Sequence, residues 1–312
     1  MFTVATWNVE NLFLPGGAAG PSSDEMYRVK LAYLSATINA VGPDVICLQE
    51  LGGEKPLADL VADLGGRMPH SAIGWPDDRG IRVGVVSRHP IVERYDWVDF
   101  PEGALTDVPD PDGNLLRAMG RGAVETVLDV SALGPGSRLR VVTAHLKSKL
   151  PNFPGERSFP LDEDERARGI GYALTRRAAE AVAVRVQLNR WMPREPDVPV
   201  VLAGDFNDEP RAVTTALLAG PEDTNLNRPD LGDPYRLYNL ADRLPTRRAF
   251  SRIYQDFREL IDHVFVSRPL LLAGVTADAL VDDLIGITED VESRRDAVVP
   301  DHALVYARIN WP

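Results

Sequence analysis

The chain has 312 residues, of which 44% are hydrophobic and 26% are charged, as in ordinary globular proteins with a sizeable core. Its formal net charge is −12 and it contains no basic block or tail, which argues against tight non-specific binding to long nucleic acid. A local basic cleft or a bound metal could still offset that charge. The single cysteine, Cys47, excludes an intrachain disulfide, and its apolar neighbours predict that it is buried.

Strand and helix signals are spread evenly along the chain, without an internal repeat, a low-complexity block or a clear linker. Residues 1–312 are therefore predicted to form a single domain. The chain opens on a strand pattern rather than a signal peptide, and no apolar run approaches the length of a membrane span. These features predict a cytoplasmic protein with no membrane span.

The first half of the chain alternates strand and helix patterns. Strands are predicted at 2–7, 44–50 and 81–87, and helices at 22–41 and 56–64. Ser22 and Glu25 form a predicted capping box for the first helix, and Gly42 with Pro43 ends it. Residues 99–120 are acidic and contain several turn formers, so we expect an exposed loop there.

The second half contains a predicted hairpin followed by a long helix. The hairpin comprises residues 122–130 and 139–144, joined by a Gly-Pro-Gly turn. The remaining predicted elements are a helix at 162–192, a strand at 199–203, a helix at 211–219 and strands at 264–267 and 303–309. Strands outnumber helices and include hairpin-like neighbours, which favours a mixed or antiparallel α/β sandwich.

Polar residues gather at the ends of the predicted strands. Strands end next to Asn8, Glu50, His145, Asp205 and Asn207, whereas Asp262, Asp301 and His302 precede their strands. In antiparallel neighbours the start of one strand lies beside the end of the next, so all of these residues can meet at one rim. Asp205 and Asn207 are two residues apart, and in an extended chain they would face the same way. Taken singly, each of these residues is more often a turn former or a solvated strand end.

The ordered set resembles the endonuclease/exonuclease/phosphatase superfamily of DNase I-like and abasic-site exonuclease-like phosphoesterases. The matching motifs are Trp7-Asn8-Val9-Glu10, Leu48-Gln49-Glu50, Thr143-Ala144-His145-Leu146, Gly204-Asp205-Phe206-Asn207, Ile261-Asp262-His263 and Asp301-His302. They run in the family's order from residue 3 to about residue 309. The resemblance implies a DNase I-like four-layer α/β sandwich, with two mixed, largely antiparallel sheets flanked by helices.

The resemblance also implies the chemistry and the cofactor. The expected activity is phosphate-ester hydrolysis by in-line water attack with Mg²⁺, for which Mn²⁺ can substitute. Glu50 would be the principal metal ligand, with Asn8 and Asp301 in or near the coordination shell. Glu10 matches an acidic position that only some members have, so its role stays open.

The remaining motif residues would carry catalysis and substrate binding. Asp205 would position or deprotonate the water, and Asn207 would hydrogen-bond the phosphoryl oxygen or that water. His302 would contact the phosphate or act in acid–base chemistry, oriented by Asp262. His145 would be a second phosphate ligand or the general acid, and Arg121 could hold the phosphate as a charged fork.

Several alternatives stay open at this stage. The substrate is nucleic acid or a small phosphodiester in the first interpretation, and a small-molecule, lipid or inositol phosphate ester in the second. A non-catalytic binding protein that kept the fold is a third interpretation, and no protein partner can be inferred. His263 is expected in the core, and the arginines of the long helix on a solvated face. In a minority interpretation Arg176 or Arg177, with Lys147 and Lys149, binds a second phosphate.

Overall fold

The structure is a computed structural model that describes residues 1–17, 19–105, 107–222, 228, 230–284, 287 and 293–312. The strands in these ranges are β1 (Phe2–Leu12), β2 (Val45–Leu51), β3 (His70–Ile73), β4 (Arg82–Ser87), β5 (Ile91–Asp99), β6 (Val108–Pro109), β7 (Leu115–Leu116), β8 (Ala118–Asp129), β9 (Arg138–His145), β10 (Val200–Asp205), β11 (Leu237–Asn239), β12 (Arg252–Tyr254), β13 (Phe257–Glu259), β14 (Asp262–Ser267), β15 (Val275–Ala279) and β16 (Val305–Ile309). The α-helices are α1 (Asp24–Val41), α2 (Glu54–Asp63), α3 (Glu163–Trp191), α4 (Val213–Ala219) and α5 (Arg268–Ala273).

Two six-stranded sheets form the centre of the molecule. The first sheet has the order β15-β16-β1-β2-β4-β3, and the second has the order β11-β14-β10-β9-β8-β5. The central pair of each sheet is parallel, β1 with β2 and β10 with β9. The other neighbouring pairs in both sheets are antiparallel. The prediction of two mixed, largely antiparallel sheets is confirmed.

Apolar residues divide the molecule into four layers. The core between the sheets includes Val4, Val85, Val141, Val201 and Val264. On the outer face of the first sheet, Leu34 and Ile38 of α1 and Leu60 of α2 pack against Trp7 and Leu48. On the outer face of the second sheet, Val184 and Leu188 of α3 pack against Val142 and Leu202. Burial of an apolar side chain of this size stabilises the fold by about 1.5–3 kcal/mol. The apolar faces of the strands and helices therefore pack together, and this packing produces the layers.

A short polar network crosses the core between the sheets. The Gln49 side-chain Nε2 donates to Thr6 Oγ1 and to Thr143 Oγ1, each at 3.2 Å. Thr6 and Gln49 belong to the first sheet and Thr143 to the second, and all three are buried. Because buried polar groups need partners, this network fixes how the two sheets align near one rim.

The ends of α1 show one error in the predicted capping. Ser23 rather than Ser22 is the N-cap, because its side chain accepts the Met26 N–H at 3.2 Å. The backbone N–H and side chain of Ser22 instead bind the carboxylate of Asp296. Gly42 ends the helix with φ 64°, a left-handed conformation that glycine adopts readily.

The main predicted elements occur within a few residues of their expected bounds. The last strand starts at Val305 instead of residue 303, and His302 forms only an isolated bridge with Arg252. Residues 99–120 are less irregular than expected, since they contain β6 and β7 and the start of β8. Sequence reasoning missed β3, β5, β11, β12, β13 and β15. These strands are short or half exposed, so they lack a strong apolar pattern.

Two other expectations can be compared with the fold. Cys47 is fully buried in the core between the sheets, as predicted, and burial raises the pKa of its thiol to about 12. In the part of the chain that the structure describes, no helix is both long enough and apolar enough to cross a membrane.

Gly204 provides a test of the close approach between β9 and β10. A Cβ at Gly204 would lie 2.0 Å from the carbonyl oxygen of Ala144, whereas a Cβ at Gly171 in α3 would meet nothing within 4 Å. We expect Gly204→Ala to lower the free energy of unfolding by at least about 1–3 kcal/mol. Gly171→Ala should raise it by up to about 1 kcal/mol, because alanine favours the helix. Urea unfolding of both variants measures this, and an unchanged midpoint for Gly204→Ala would contradict the described packing.

Candidate functional site

Four strands carry polar residues at one rim of the molecule. They are β1 of the first sheet and β9, β10 and β14 of the second sheet. Along β1, β9, β10 and β14 every second residue faces the opposite sheet. Within the core these residues are apolar except for Thr6 and Thr143, and the same series end at the rim with Asn8, His145, Asp205 and Asp262. Asp205 is the register partner of both His145 and Asp262. The predicted convergence is therefore found for these four residues.

The carboxylate of Asp205 lies at the centre of the site. Its Oδ2 is 3.2 Å from His145 Nε2, accepts the Asn8 Nδ2 donor at 3.1 Å, and lies 4.0 Å from His302 Nε2. Its Oδ1 accepts the backbone N–H of Asn207 at 3.0 Å. Burial alone would raise the pKa of Asp205, but His145, His302 and the hydrogen bond from Asn8 outweigh it and hold the pKa well below its usual range.

Glu50 reaches the rim because β2 is interrupted by a bulge. In a regular strand its side chain would face the helix layer together with Leu48. Instead Glu50 has φ 65°, and the pairing of β2 with β4 shifts register at this residue. Its Oε1 accepts from Asn8 Nδ2 at 3.3 Å, and its Oε2 accepts from the Asn11 backbone N–H at 3.0 Å.

Side chains around the site favour the ionised form of Glu50. Burial acts to raise the pKa of Glu50, but His145, Arg121 and His302 together lower it below the ordinary value. Glu50 is therefore a carboxylate at neutral pH, the form that can bind a divalent cation.

His302 and Asp262 form a buried pair beside Asp205. His302 Nδ1 lies 2.7 Å from Asp262 Oδ2, and the Asp262 side chain is fully buried. The Asp262 backbone N–H donates to Ser251 Oγ at 3.1 Å, and Trp7 Nε1 donates to the His302 carbonyl at 2.8 Å. These bonds hold both partners from the backbone side, so the imidazole has a fixed direction.

The same pair sets the charge of the imidazole. Burial would lower the pKa of His302, but Asp262, Asp301 and Asp205 raise it from 6.5 to about 10. His302 is therefore an imidazolium at neutral pH, with Nδ1 held by Asp262 and Nε2 directed toward Asp205.

Asp301 lies beside the site and contacts Arg252 and Glu10. Its Oδ2 is 3.6 Å from Arg252 Nε, and its backbone N–H donates to Glu10 Oε2 at 3.0 Å. Among the described residues, no hydrogen bond or ion pair joins the Asp301 carboxylate to Glu50 or Asn8. The backbone of Asp301 is thus connected to this part of the rim through Glu10.

Asn207 and Arg121 both bind the carbonyl oxygen of Leu146. Asn207 Nδ2 donates to it at 2.9 Å, and Arg121 Nη1 donates at 3.2 Å. Asp205 and Asn207 do not both lie in extended chain, because β10 ends at Asp205 and Asn207 has φ 55°. Arg121 Nε also lies 3.6 Å from Asp77 Oδ2, so the guanidinium lies between the loop that follows β3 and the segment that follows β9.

The basic residues considered for a second phosphate are engaged with the protein. Ion pairs join Arg176 to Glu180 at 3.1 Å, Arg177 to Asp208 at 3.1 Å and Lys149 to Glu259 at 2.8 Å. Lys147 Nζ donates to the backbone carbonyls of residues 148 and 150, and burial lowers its pKa to about 8. These contacts leave the minority interpretation of a second phosphate site without support.

Sequence reasoning missed Glu180 as a residue that shapes the site. Its side chain is buried, and it accepts the Gly120 N–H at 2.9 Å and the Lys147 N–H at 2.7 Å. It thereby fixes Gly120, which precedes Arg121, and Lys147, which lies two residues after His145. The surrounding helix is rich in charge, so the sequence pattern suggested only a solvated face.

His263 takes no part in the rim, as expected. It is buried, and its ring stacks on Phe206 with 6.0 Å between the centroids and an interplanar angle of 4°. Its two ring nitrogens contact Asn239 Nδ2 at 3.3 Å and the Asp208 carbonyl oxygen at 2.9 Å. Burial lowers the pKa of His263 to about 4, so it is a neutral core residue.

The donor set at the rim suits a hard divalent cation. The carboxylates gathered there are Glu10, Glu50, Asp205, Asp262 and Asp301. Oxygen donors of this kind are the ligands that Mg²⁺ prefers. Potential ligand atoms of Asp205, Asp262 and His302 all lie within 4.8 Å of one another. In that group Asp262 already binds His302, whereas among the described residues the Glu50 carboxylate is bound only by amide N–H groups of Asn8 and Asn11.

Comparisons with solved structures agree with this architecture. The catalytic domain of human Nocturnin with bound sulfate matches over 99% of this chain and 94% of that chain, at 14% identity and TM-score 0.59. An endonuclease/exonuclease/phosphatase from Bacteroides vulgatus matches over 100% and 99%, at 13% identity and TM-score 0.60. A mannosyl-6-phosphatase from Bacteroides thetaiotaomicron matches over 99% of both chains, at 14% identity and TM-score 0.56. At these identities the matches establish the fold alone.

The family itself is identified by sequence. No curated protein matches the chain at a significant level. The model of the Endonuclease/Exonuclease/phosphatase family matches residues 5–284, which is most of the chain. This span contains the rim residues from Asn8 to Asp262, in the fold described above. The chain therefore belongs to the Endonuclease/Exonuclease/phosphatase family of phosphoesterases.

Proposed function

We propose that this protein is a Mg²⁺-dependent hydrolase of phosphodiester bonds, with nucleic acid as its first substrate class. The observation that carries the proposal is the buried Asp205 carboxylate, which contacts His145 and Asn8 and faces the His302–Asp262 pair. A carboxylate poised beside an imidazolium can activate water and stabilise a phosphoryl oxygen within one small volume.

Glu50, Asn8 and Asp301 would hold the cation. Glu50 is ionised and lies against Asn8, and Asp301 is tethered nearby through its backbone. The Asn8 carboxamide oxygen accepts the Glu10 N–H at 3.0 Å, so Asn8 also orients the carboxylates through its NH₂ group. Bound Mg²⁺ would supply positive charge to the phosphoryl oxygens and to the leaving oxygen.

The chain's own residues would carry the proton transfers. Asp205 is ionised at neutral pH and can accept a hydrogen bond, or a proton, from the attacking water. His302 would donate its Nε2–H to a phosphoryl oxygen while Asp262 holds Nδ1. His145, which lies on the other side of Asp205, would be a second phosphate ligand or the general acid. No covalent enzyme intermediate is required.

Arg121 of β8 and Asn207, which follows β10, would bind the phosphate beside the Leu146 carbonyl that both contact. Arg121 uses Nη1 on the Leu146 carbonyl and retains further N–H groups for a phosphate oxygen. Asn207 uses one amide N–H on the same carbonyl and retains the second. Both side chains are thus held by the protein with donors to spare.

A compact phosphate ester is the second candidate substrate. The net charge is −12, and Arg177 and Lys149, which could have followed a polyanion, are paired with Asp208 and Glu259. These features keep a small-molecule, lipid or inositol phosphate ester as the alternative to long nucleic acid.

The first prediction concerns the metal and Glu50. Hydrolysis should require Mg²⁺ or Mn²⁺ and stop when EDTA is added. Glu50→Gln should lower kcat/KM by about a thousandfold or more, because it removes the principal anionic ligand. Glu54→Gln, an exposed glutamate in α2, is the matched control and should behave like the parent. Turnover that EDTA does not affect, or that Glu50→Gln retains, would rule out the proposal.

The second prediction concerns the substrate. In the presence of Mg²⁺, bis-p-nitrophenyl phosphate and plasmid DNA, single-stranded DNA or RNA should be cleaved faster than p-nitrophenyl phosphate. Sphingomyelin and an inositol polyphosphate complete the panel. A preference for the monoester, the lipid or the inositol phosphate would select the second candidate. Metal binding without turnover of any substrate would instead favour a non-catalytic binding protein.

The third prediction concerns the Asp262–His302 pair. Asp262→Asn should lower kcat/KM by about 10²–10⁴, the usual contribution of a positioned acid or base. Asp262 favours the protonated imidazole, so its removal should lower the pKa of His302 from about 10 toward 6.5. If activity needs the imidazolium form of His302, the alkaline limb of the pH–activity profile should then move to lower pH. Asp242→Asn on the exposed surface is the control, and an unshifted alkaline limb in Asp262→Asn would argue against this role of His302.

A further inference from the structure

Glu10 occupies a strained position at the end of the first strand. The pairing of β1 with β2 shifts register between Asn8 and Leu12, and Glu10 and Asn11 have φ 48° and 54°. Asparagine adopts such angles comparatively readily, but for a glutamate they are unfavourable and persist where surrounding contacts enforce them. The Glu10 side chain is nevertheless almost fully buried, so contacts within the protein must hold it.

The polar groups of Glu10 are engaged by other parts of the chain. Its carboxylate forms a two-pronged ion pair with Nε and Nη2 of Arg294. The same carboxylate accepts the Asp301 N–H at 3.0 Å. Its backbone N–H donates to Asn8 Oδ1 at 3.0 Å, and its carbonyl accepts from the buried ammonium of Lys30. Both oxygens of this carboxylate already accept from the Arg294 cation, which makes Glu10 a less favourable metal ligand than Glu50, whose oxygens accept amide N–H donors.

Arg294 extends this contact toward the catalytic pair. Its Nη2 also donates to the carbonyl of Val299 at 2.8 Å. The guanidinium thus ties β1 to the segment that leads into Asp301 and His302. Since His302 lies outside the regular part of β16, its backbone position depends on such tethers more than on strand pairing. Arg294 is also a cation that offsets the charges of Glu10 and Asp301.

We infer that Glu10 is a positioning residue: paired with Arg294, it fixes the peptide of Asp301 and thereby orients His302, and it is not a metal ligand. This inference rests on the proposed function for its effect on turnover. Its structural part, the orientation of His302, does not depend on that function. Two-pronged ion pairs restrict geometry more strongly than single contacts, which suits such a role.

The test compares Glu10→Gln and Arg294→Met with two reference variants. Glu50→Gln serves as the reference for loss of a metal ligand. Arg295→Met is the matched control, because the neighbouring Arg295 binds the Gly20 carbonyl instead of the site. The readouts are kcat and KM on bis-p-nitrophenyl phosphate, Mn²⁺ affinity by electron paramagnetic resonance, and the ring ¹⁵N shifts of His302 without metal.

The positioning role predicts a distinct pattern. Glu10→Gln and Arg294→Met should each lower kcat about 10- to 100-fold with little change in KM, as is typical when a supporting contact is removed. Both should move the His302 ring shifts, and the double variant should be no worse than the more impaired single variant. Mn²⁺ affinity should change less than about threefold, against a far larger loss in Glu50→Gln. Arg295→Met should match the parent in every readout.

Other results would overturn the inference. A loss of Mn²⁺ affinity in Glu10→Gln as large as in Glu50→Gln would make Glu10 a metal ligand. Unchanged His302 shifts in both single variants would exclude the positioning role. If Arg294→Met fails to fold, Arg294→Lys replaces it, because lysine keeps the positive charge but cannot form the two-pronged ion pair. The same criteria then apply to Arg294→Lys. If the parent itself binds no Mn²⁺ and turns over nothing, the proposed function fails, while the His302 shifts still decide the role of Glu10.

Discussion

The buried charge of Asp205 is the interaction on which the rest of the site depends. A carboxylate removed from water is costly unless other groups compensate for it. Here His145, Asn8 and the backbone of Asn207 bind it directly, and the imidazolium of His302 lies 4.0 Å away. Each of these groups comes from a different stretch of the chain. The site is therefore stable only when both sheets are assembled.

The fold meets this requirement through strand periodicity and two interruptions. The side chains that fill the core between the sheets belong to series that end at the rim in Asn8, His145, Asp205 and Asp262. Regular strands alone would turn Glu50 toward the helix layer. The bulges in β1 and β2 change the direction of both chains at the rim, and positive φ angles occur there at Glu10, Asn11 and Glu50. Strain is thus concentrated where the candidate metal ligands lie.

Several charged side chains near the site form ion pairs with each other. Arg294 pairs with Glu10, Arg252 with Asp301, and Asp262 with His302. Glu50 has no such cationic partner in direct contact among the described residues, since its oxygens accept amide N–H donors. A divalent cation placed beside Glu50 would complete the charge balance that the protein provides elsewhere, which agrees with the family to which the chain belongs.

From the sequence, apolar alternation and strand ends predicted a mixed α/β sandwich with polar residues at its strand ends, because these are local properties, and the family resemblance predicted two sheets and the residues of the rim. The sequence did not reveal the conformation of Asn207, the burial of Glu180 or the pairing of Glu10 with Arg294. Those depend on contacts between residues far apart in the chain: 284 positions separate Glu10 from Arg294. Local patterns determine which residues can reach a surface. Only tertiary packing decides which charged side chains on that surface pair with each other and which remain free to bind a metal ion or a substrate.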